Sequence, residues 1–220
     1  STPGGTTRPC QCAVVTSYNP QAQDITLEDT GANTETDKQF IYNIYTALLK
    51  DVEALPSKSK TESYEDYAKK LFKEQPANMK LLVVVAPYYK DIADNLVAGA
   101  KAVGAACGAE VEVIEVPGAL EVPSAIALAE RLADYDGYVA LGCVIRGETT
   151  HYDTVCNDSS RAISLLGLQG ACIGNGILTV ENRAQAEVRA DPAGQNKGGG
   201  AAAAALHLIA LSRKWAGKSK

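Results

Sequence analysis

The 220-residue chain sets 21 Lys and Arg against 26 Asp and Glu, so its formal net charge of -5 gives no general attraction to nucleic acid or to an anionic membrane. No apolar run approaches the roughly 18–20 residues of a membrane span, and no signal-peptide pattern stands at the start. The length allows one sizeable domain, or one domain with a small appendage, and a hydrophobic share of 46% is enough to fill a core.

Residues 1–36 are rich in Thr, Asn, Gly, Gln and Pro and are expected to be mostly loop or disordered. The chain opens on Ser1 rather than Met, so a processed or trimmed form is expected. Cys10-Gln-Cys12 has no second Cys/His pair nearby to complete a zinc set. Phe40, Ile41, Ile44, Leu48 and Leu49 recur at helical spacing, and Leu55-Pro56-Ser57 ends that helix. Ser59 and Glu62 match a capping box. Tyr64, Tyr67, Ala68, Leu71 and Phe72 then form one amphipathic stripe that Pro76 stops. Residues 1–78 thus read as an extension, loop first and then a helix-turn-helix, of unknown role. The hairpin is too short to bury its own apolar face and should pack on the second half or on another protein.

The composition changes near Met79, the only methionine. Both phenylalanines and half of the ten tyrosines precede it; long Ala, Val and Gly-rich runs follow. A start codon retained inside a fusion and chance explain the lone Met equally well. From here the pattern is β-α-β-α. Lys80–Ala86 is a continuous apolar run, as in a strand covered on both faces. Ile92, Leu96, Ala100 and Val103 mark a helix. Val111–Val116 is a second strand, and Pro123 sits in the first turn of the helix carrying Ile126 and Leu132. Gly137–Ile145 is a third strand, followed by a helix with Ala162, Leu165 and Leu166. Ala171–Thr179 is a fourth strand, Ala184 to Val188 a short helix, and the Ala-rich run after Gly199 a long final one. Alternation of this kind predicts an α/β fold: a three-layer parallel sheet, flavodoxin-like in order, flanked by helices. Cys107, Cys143, Cys156 and Cys172 lie among apolar positions and read as buried thiols of a reducing compartment.

In such sheets ligands bind beyond the carboxyl ends of the strands, and the unusual segments fall there. Tyr88 and Tyr89 stand after strand one, where a ring could stack on a flat heterocycle or simply pack in the loop. After strand two, Glu121 opens a helix, where it either favours the helix dipole or faces a polar substrate. After strand three comes RGETTH. Free N–H groups of Glu148, Thr149 and Thr150 at a helix start suit an anion, and His151 would stand beside it. With no Walker motif, a small phosphate ester fits better than a nucleoside triphosphate, and an imidazole beside it can move protons near neutral pH. After strand four, Arg183, Arg189 and Lys197 are the available cations. Either arginine could equally be a solvated helix charge, though a guanidinium is a natural phosphate partner. His207, between Leu206 and Leu208, reads as structural. No metal cluster, Ser-His-Asp order or dinucleotide fingerprint is present.

VPGALEVP, GCVIRGETTHYDTV, GNGILTVEN and NKGGGAAAAAL, in that order and spacing, resemble the lumazine synthase (6,7-dimethyl-8-ribityllumazine synthase) family over about residues 79 to 217, with 1–78 left out. The resemblance implies a lumazine synthase domain over 79–220. Its reaction would condense 5-amino-6-ribitylamino-pyrimidinedione with 3,4-dihydroxy-2-butanone 4-phosphate, the penultimate step of riboflavin synthesis, without metal or other cofactor. By motif, Tyr88 matches the ring-stacking aromatic, and Ala119, Leu120 and Glu121 would hold the ribityl chain. Val144 and Ile145 would line the ring pocket, and Glu148 and Thr149 would bind phosphate. His151 matches the proton-transfer histidine, and Arg189 a phosphate-binding arginine supplied by the adjacent subunit. Asn175 and Lys197 complete the substrate-contacting set. Tyr88 stands where Phe or Trp is more usual, Asn175 where some members place an aromatic, and Ala193 where some carry lysine. These departures bear on affinity more than on reaction type.

The same resemblance implies a homo-oligomer, a pentamer or a sixty-subunit shell, with active sites between subunits, small-molecule substrates, and no nucleic-acid or membrane partner. A cytoplasmic location is expected, or a plastid should the N-terminus be a processed eukaryotic form. The alternatives are a cage scaffold displaying a fused N-terminal module, and a relative that binds flavin or lumazine without turnover.

Overall fold

The computed structural model describes residues 55–73 and 78–216, together with the backbone of two strands at 15–19 and 24–27. The expected helix over Phe40–Leu49, the stop at Pro76 and the Cys10-Gln-Cys12 pair lie outside the described residues. The chain divides into two units, 1–54 and 55–220. In the first, β1 (Val15–Asn19) pairs antiparallel with β2 (Asp24–Leu27), with a register shift between Val15 and Ser17. These two short strands lie within the stretch 1–36 expected to be mostly loop. The β-branched and aromatic content of VTSYN and DITL, either side of a segment opened by Pro20, outweighs the polar composition around it.

The second unit begins with α1 (Tyr64–Leu71), so part of the stretch that precedes the family motifs belongs to it. The helix starts one turn later than the Ser59–Glu62 pattern suggests. Glu62 does reach back to the Ser59 N–H at 3.1 Å, but within a turn. The working cap is Ser63, whose Oγ accepts from the Asp66 N–H at 3.0 Å. The stripe on α1 is covered within this unit: Tyr67, Ala68 and Phe72 are buried against the main core.

The remainder alternates strand and helix: β3 (Lys80–Val85), α2 (Lys90–Ala106), β4 (Glu110–Glu115), α3 (Glu121–Leu132), β5 (Gly137–Ile145), α4 (His151–Leu168), β6 (Ile173–Val180), α5 (Arg183–Ala190) and α6 (Lys197–Trp215). The four strands form one parallel sheet in the order β4-β3-β5-β6, the flavodoxin-like arrangement that the alternation predicts. Strand residues alternate between two cores, as a period-2 backbone requires. Leu81, Val83, Val85, Val139 and Leu141 face α2 and α6. Leu82, Val84, Tyr138 and Ala140 face α3 and α4. Central β3 and β5 are apolar on both faces because both are covered. Edge strand β4 alternates Glu110, Glu112 and Glu115 with half-buried valines and Ile114.

Small residues bring α6 close to its neighbours. A Cβ at Gly174 would collide with the Ala201 carbonyl of α6, and one at Gly198 with the Leu96 carbonyl of α2. Asn196, the only described non-glycine residue with positive φ (45°), is buried; its Oδ1 caps α6 by accepting from the Gly199 N–H at 3.0 Å. The GQNKGGG segment is therefore a packing device, as its glycines suggest. Across the same face the Tyr67 hydroxyl lies 2.5 Å from His207 Nδ1, which fixes α1 to α6 and gives His207 the structural place expected of it. Among the described residues no helix is long and apolar enough to cross a membrane.

Candidate active site

The chain leaves the sheet at the carboxyl ends of β3, β4 and β5, and these three exits frame a cleft of about 590 Å³. After β3, Tyr88 is 77% exposed and meets the edge of Tyr89 with ring centroids 5.0 Å apart at 75°. Such an edge-to-face pair orients a ring that would otherwise rotate freely. Tyr89 is half-buried, and burial, first of all, holds its hydroxyl above the usual phenol range.

After β4, Pro117 and Gly118 turn the chain into α3. The Glu121 N–H donates to the Gly118 carbonyl at 3.1 Å, which tightens this entry turn. Ala119 is buried, while Leu120 and Glu121 stand exposed on the wall.

After β5 the wall is richest. Cys143, Val144 and Ile145 form the floor. Burial pushes the Cys143 thiol up to about 11, so it stays protonated at neutral pH and is no nucleophile. Gly147, Thr149, His151, Tyr152 and Val155 continue the wall. Thr150 caps α4 with no side-chain hydrogen bond, and the Thr149 Oγ1 accepts from the His151 N–H at a long 3.4 Å. Among the described residues the backbone N–H groups of Gly147, Glu148, Thr149 and Thr150 find no acceptor. An 18-residue helix points its positive end at this turn. Open donors, a helix dipole and an imidazole therefore meet at one mouth, a ready place for an anion.

Eight of the expected site residues share this cleft: Tyr88, Ala119, Leu120, Glu121, Val144, Ile145, Thr149 and His151. Four do not line it. Glu148 is exposed and does not line the wall, though its N–H belongs to the open turn. Asn175 is the third residue of β6, opposite Ala140 and nearer the other end of the sheet, and its Oδ1 accepts from the Ile177 N–H at 3.0 Å. Arg189 lies on α5, where its guanidinium donates to the Gln185 carbonyl at 2.9 Å and meets no carboxylate among the described residues. Lys197 is exposed at the start of α6. A single copy of this chain does not bring these four side chains to the cleft. Arg183, the other candidate cation, pairs with Asp91 and with Glu187, and so ties α5 to α2.

Residue reading placed Tyr89 beside Tyr88 at the strand exit but missed Ala86, Cys143, Gly147, Tyr152 and Val155 on the wall. Val155 follows His151 at four residues, so the helical period of α4 carried a usable signal for it but not for Tyr152. No group of His, Cys, Asp or Glu among the described residues could hold a metal ion.

Residues 78–213 match the family model of 6,7-dimethyl-8-ribityllumazine synthase, well over half of the chain. The chain belongs to the lumazine synthase family. Curated relatives carry the same name. The protein of Jannaschia sp. is 59% identical over 137 residues, covering 62% of this chain and 77% of its own. That of Novosphingobium aromaticivorans is 60% identical over 136 residues, covering 62% and 98%. That of Zymomonas mobilis is 53% identical over 135 residues, covering 61% and 97%. The cleft of this lumazine synthase fold lies wholly within the matched region.

Proposed function

We propose that this chain is a 6,7-dimethyl-8-ribityllumazine synthase. It condenses 5-amino-6-ribitylamino-pyrimidinedione with 3,4-dihydroxy-2-butanone 4-phosphate and releases phosphate and water. The observation that carries this reading is the shared mouth of the cleft, where N–H donors at the start of α4, with no acceptor among the described residues, sit beside His151 in a cleft that exposed Tyr88 also lines.

The chemistry needs each part. The pyrimidine ring stacks on Tyr88, while its ribityl chain runs along Ala119, Leu120 and Glu121. Val144 and Ile145 border the ring. The phosphate sits on the N–H groups of Glu148 and Thr149 and the Thr149 hydroxyl. Amine attack on the ketone loses water through an imine; phosphate then leaves, and the second amine closes the ring on the remaining carbonyl with loss of a second water. His151 moves the protons of these steps, and donors already in place ease the departure of phosphate. Much of the acceleration comes from holding two substrates together.

The second half of the phosphate site comes from another copy. Arg189 meets no carboxylate among the described residues and does not line its own cleft, so an oligomer that brings it to the neighbour's α4 would complete the anion site; Asn175 and Lys197 would act across the same interface.

The test is lumazine fluorescence after both substrates are mixed with the full chain. Formation well above the spontaneous rate is expected, and His151→Ala should lower it on the order of a hundredfold. A full rate in that variant removes the role given to His151. Mixing His151→Ala with Arg189→Ala subunits should restore part of the activity; no restoration by any mixture overturns the site between copies.

A further inference from the structure

We infer that Arg146 is a positioning residue that holds both ends of the anion-binding turn without touching substrate, an inference that rests on the function proposed above. Arg146 is the last residue the sheet holds, its N–H donating to the Val180 carbonyl at 2.9 Å. Helix α4 starts at His151, and among the described residues the turn between has only the long Thr149–His151 contact inside it. The Arg146 side chain spans that gap. Its Nη2 donates to Asp153 Oδ1 at 3.3 Å, in the first turn of α4. Its Nε donates to Glu181 Oε2 at 2.9 Å, just beyond β6. Its guanidinium carbon lies 4.1 Å from the centre of the Tyr152 ring, which lines the cleft beside His151.

One planar cation thus joins the exit of β5, the exit of β6 and the start of α4. Isolated surface ion pairs contribute little, but here a fork, two carboxylates and an aromatic face act together. The arrangement serves the turn in two ways. Donors fixed before the anion arrives spare the ordering cost at binding. Arg146 also offsets Asp153 and Glu181, two negative charges that would otherwise oppose a phosphate at this mouth. Only the guanidinium meets both needs, since an ammonium has no plane to stack and no fork.

The test compares Arg146→Met, Arg146→Lys and Glu181→Gln with the parent chain. Steady-state kinetics is run against each substrate, with binding of inorganic phosphate followed by calorimetry. Arg146→Met should raise KM for the phosphate-bearing substrate on the order of tenfold or more and weaken inorganic phosphate by a similar factor. KM for the phosphate-free pyrimidine should hold. Arg146→Lys should recover part of the loss, and Glu181→Gln, which loosens the fork but also removes a charge opposing phosphate, should move both readouts by less than Arg146→Met. A lower unfolding temperature with unchanged KM and phosphate affinity overturns the inference. If Arg146→Met does not fold, unchanged KM in both Arg146→Lys and Glu181→Gln overturns it. A parent chain that neither turns over nor binds phosphate overturns the proposed function as well. An active parent matched by all three variants overturns the role of Arg146 alone.

Discussion

The two ends of one sheet treat polar groups in opposite ways. At the amino ends of the strands they are paired within the chain. Asp136 accepts from the Lys80 N–H at 2.8 Å and from Arg213 Nη2 at 2.9 Å. The Tyr135 hydroxyl donates to Glu112 at 2.5 Å. At the carboxyl ends the N–H groups of residues 147–150 have no acceptor among the described residues, and Tyr88 stands exposed. The same backbone supplies both ends, so the contrast separates groups that hold the fold from groups kept open for a ligand.

Substitutions at either end sharpen that contrast. The largest stability effect should come from Asp136→Ala, which strands the Lys80 N–H and Arg213. With these side chains about a quarter to a third exposed, solvent discounts the loss to about 1–2 kcal/mol. Thermal unfolding should shift down while turnover per folded molecule stays the same; a matching fall in turnover would dissolve the separation of the two ends. Thr149→Val at the open end should do the reverse. Removing its hydroxyl should cost about 1 kcal/mol of phosphate binding, seen as a higher KM for the phosphate-bearing substrate with the unfolding temperature unmoved. The smallest effect belongs to Tyr135→Phe. The hydrogen bond to Glu112, ahead of burial, pushes the Tyr135 hydroxyl up to about 12. A folded value raised above the ordinary 10 stabilises fully below pH 10 and is lost as pH rises from 10 toward 12. The gap in unfolding temperature between parent and variant should therefore close over that window. A gap that persists to pH 12 would mean that the hydroxyl contributes nothing through its proton.

Central strands were legible in the residues because burial on both faces leaves only apolar side chains there, as in Leu81–Val85. The exits of three strands were legible too, since Tyr88, Glu121 and the turn before His151 break those runs. Other features followed contacts remote in sequence. Ser59–Glu62 satisfied a local capping pattern, yet α1 starts after Ser63, where its stripe meets α2 and α6. The β1–β2 ribbon hid in a polar segment because backbone pairing, rather than hydrophobicity, defines it.

Residue order alone therefore carried the strand-helix alternation, the parallel sheet and the place of His151 at a strand exit, because periodicity and burial are written locally. Folding settled which exits converge. It set Tyr89, Cys143, Tyr152 and Val155 on the cleft wall and bound Arg146 to Asp153 and Glu181. It also left Asn175, Arg189 and Lys197 away from that wall, for a physical reason. Proximity across a sheet depends on strand order and helix crossing, which no local stretch of sequence encodes.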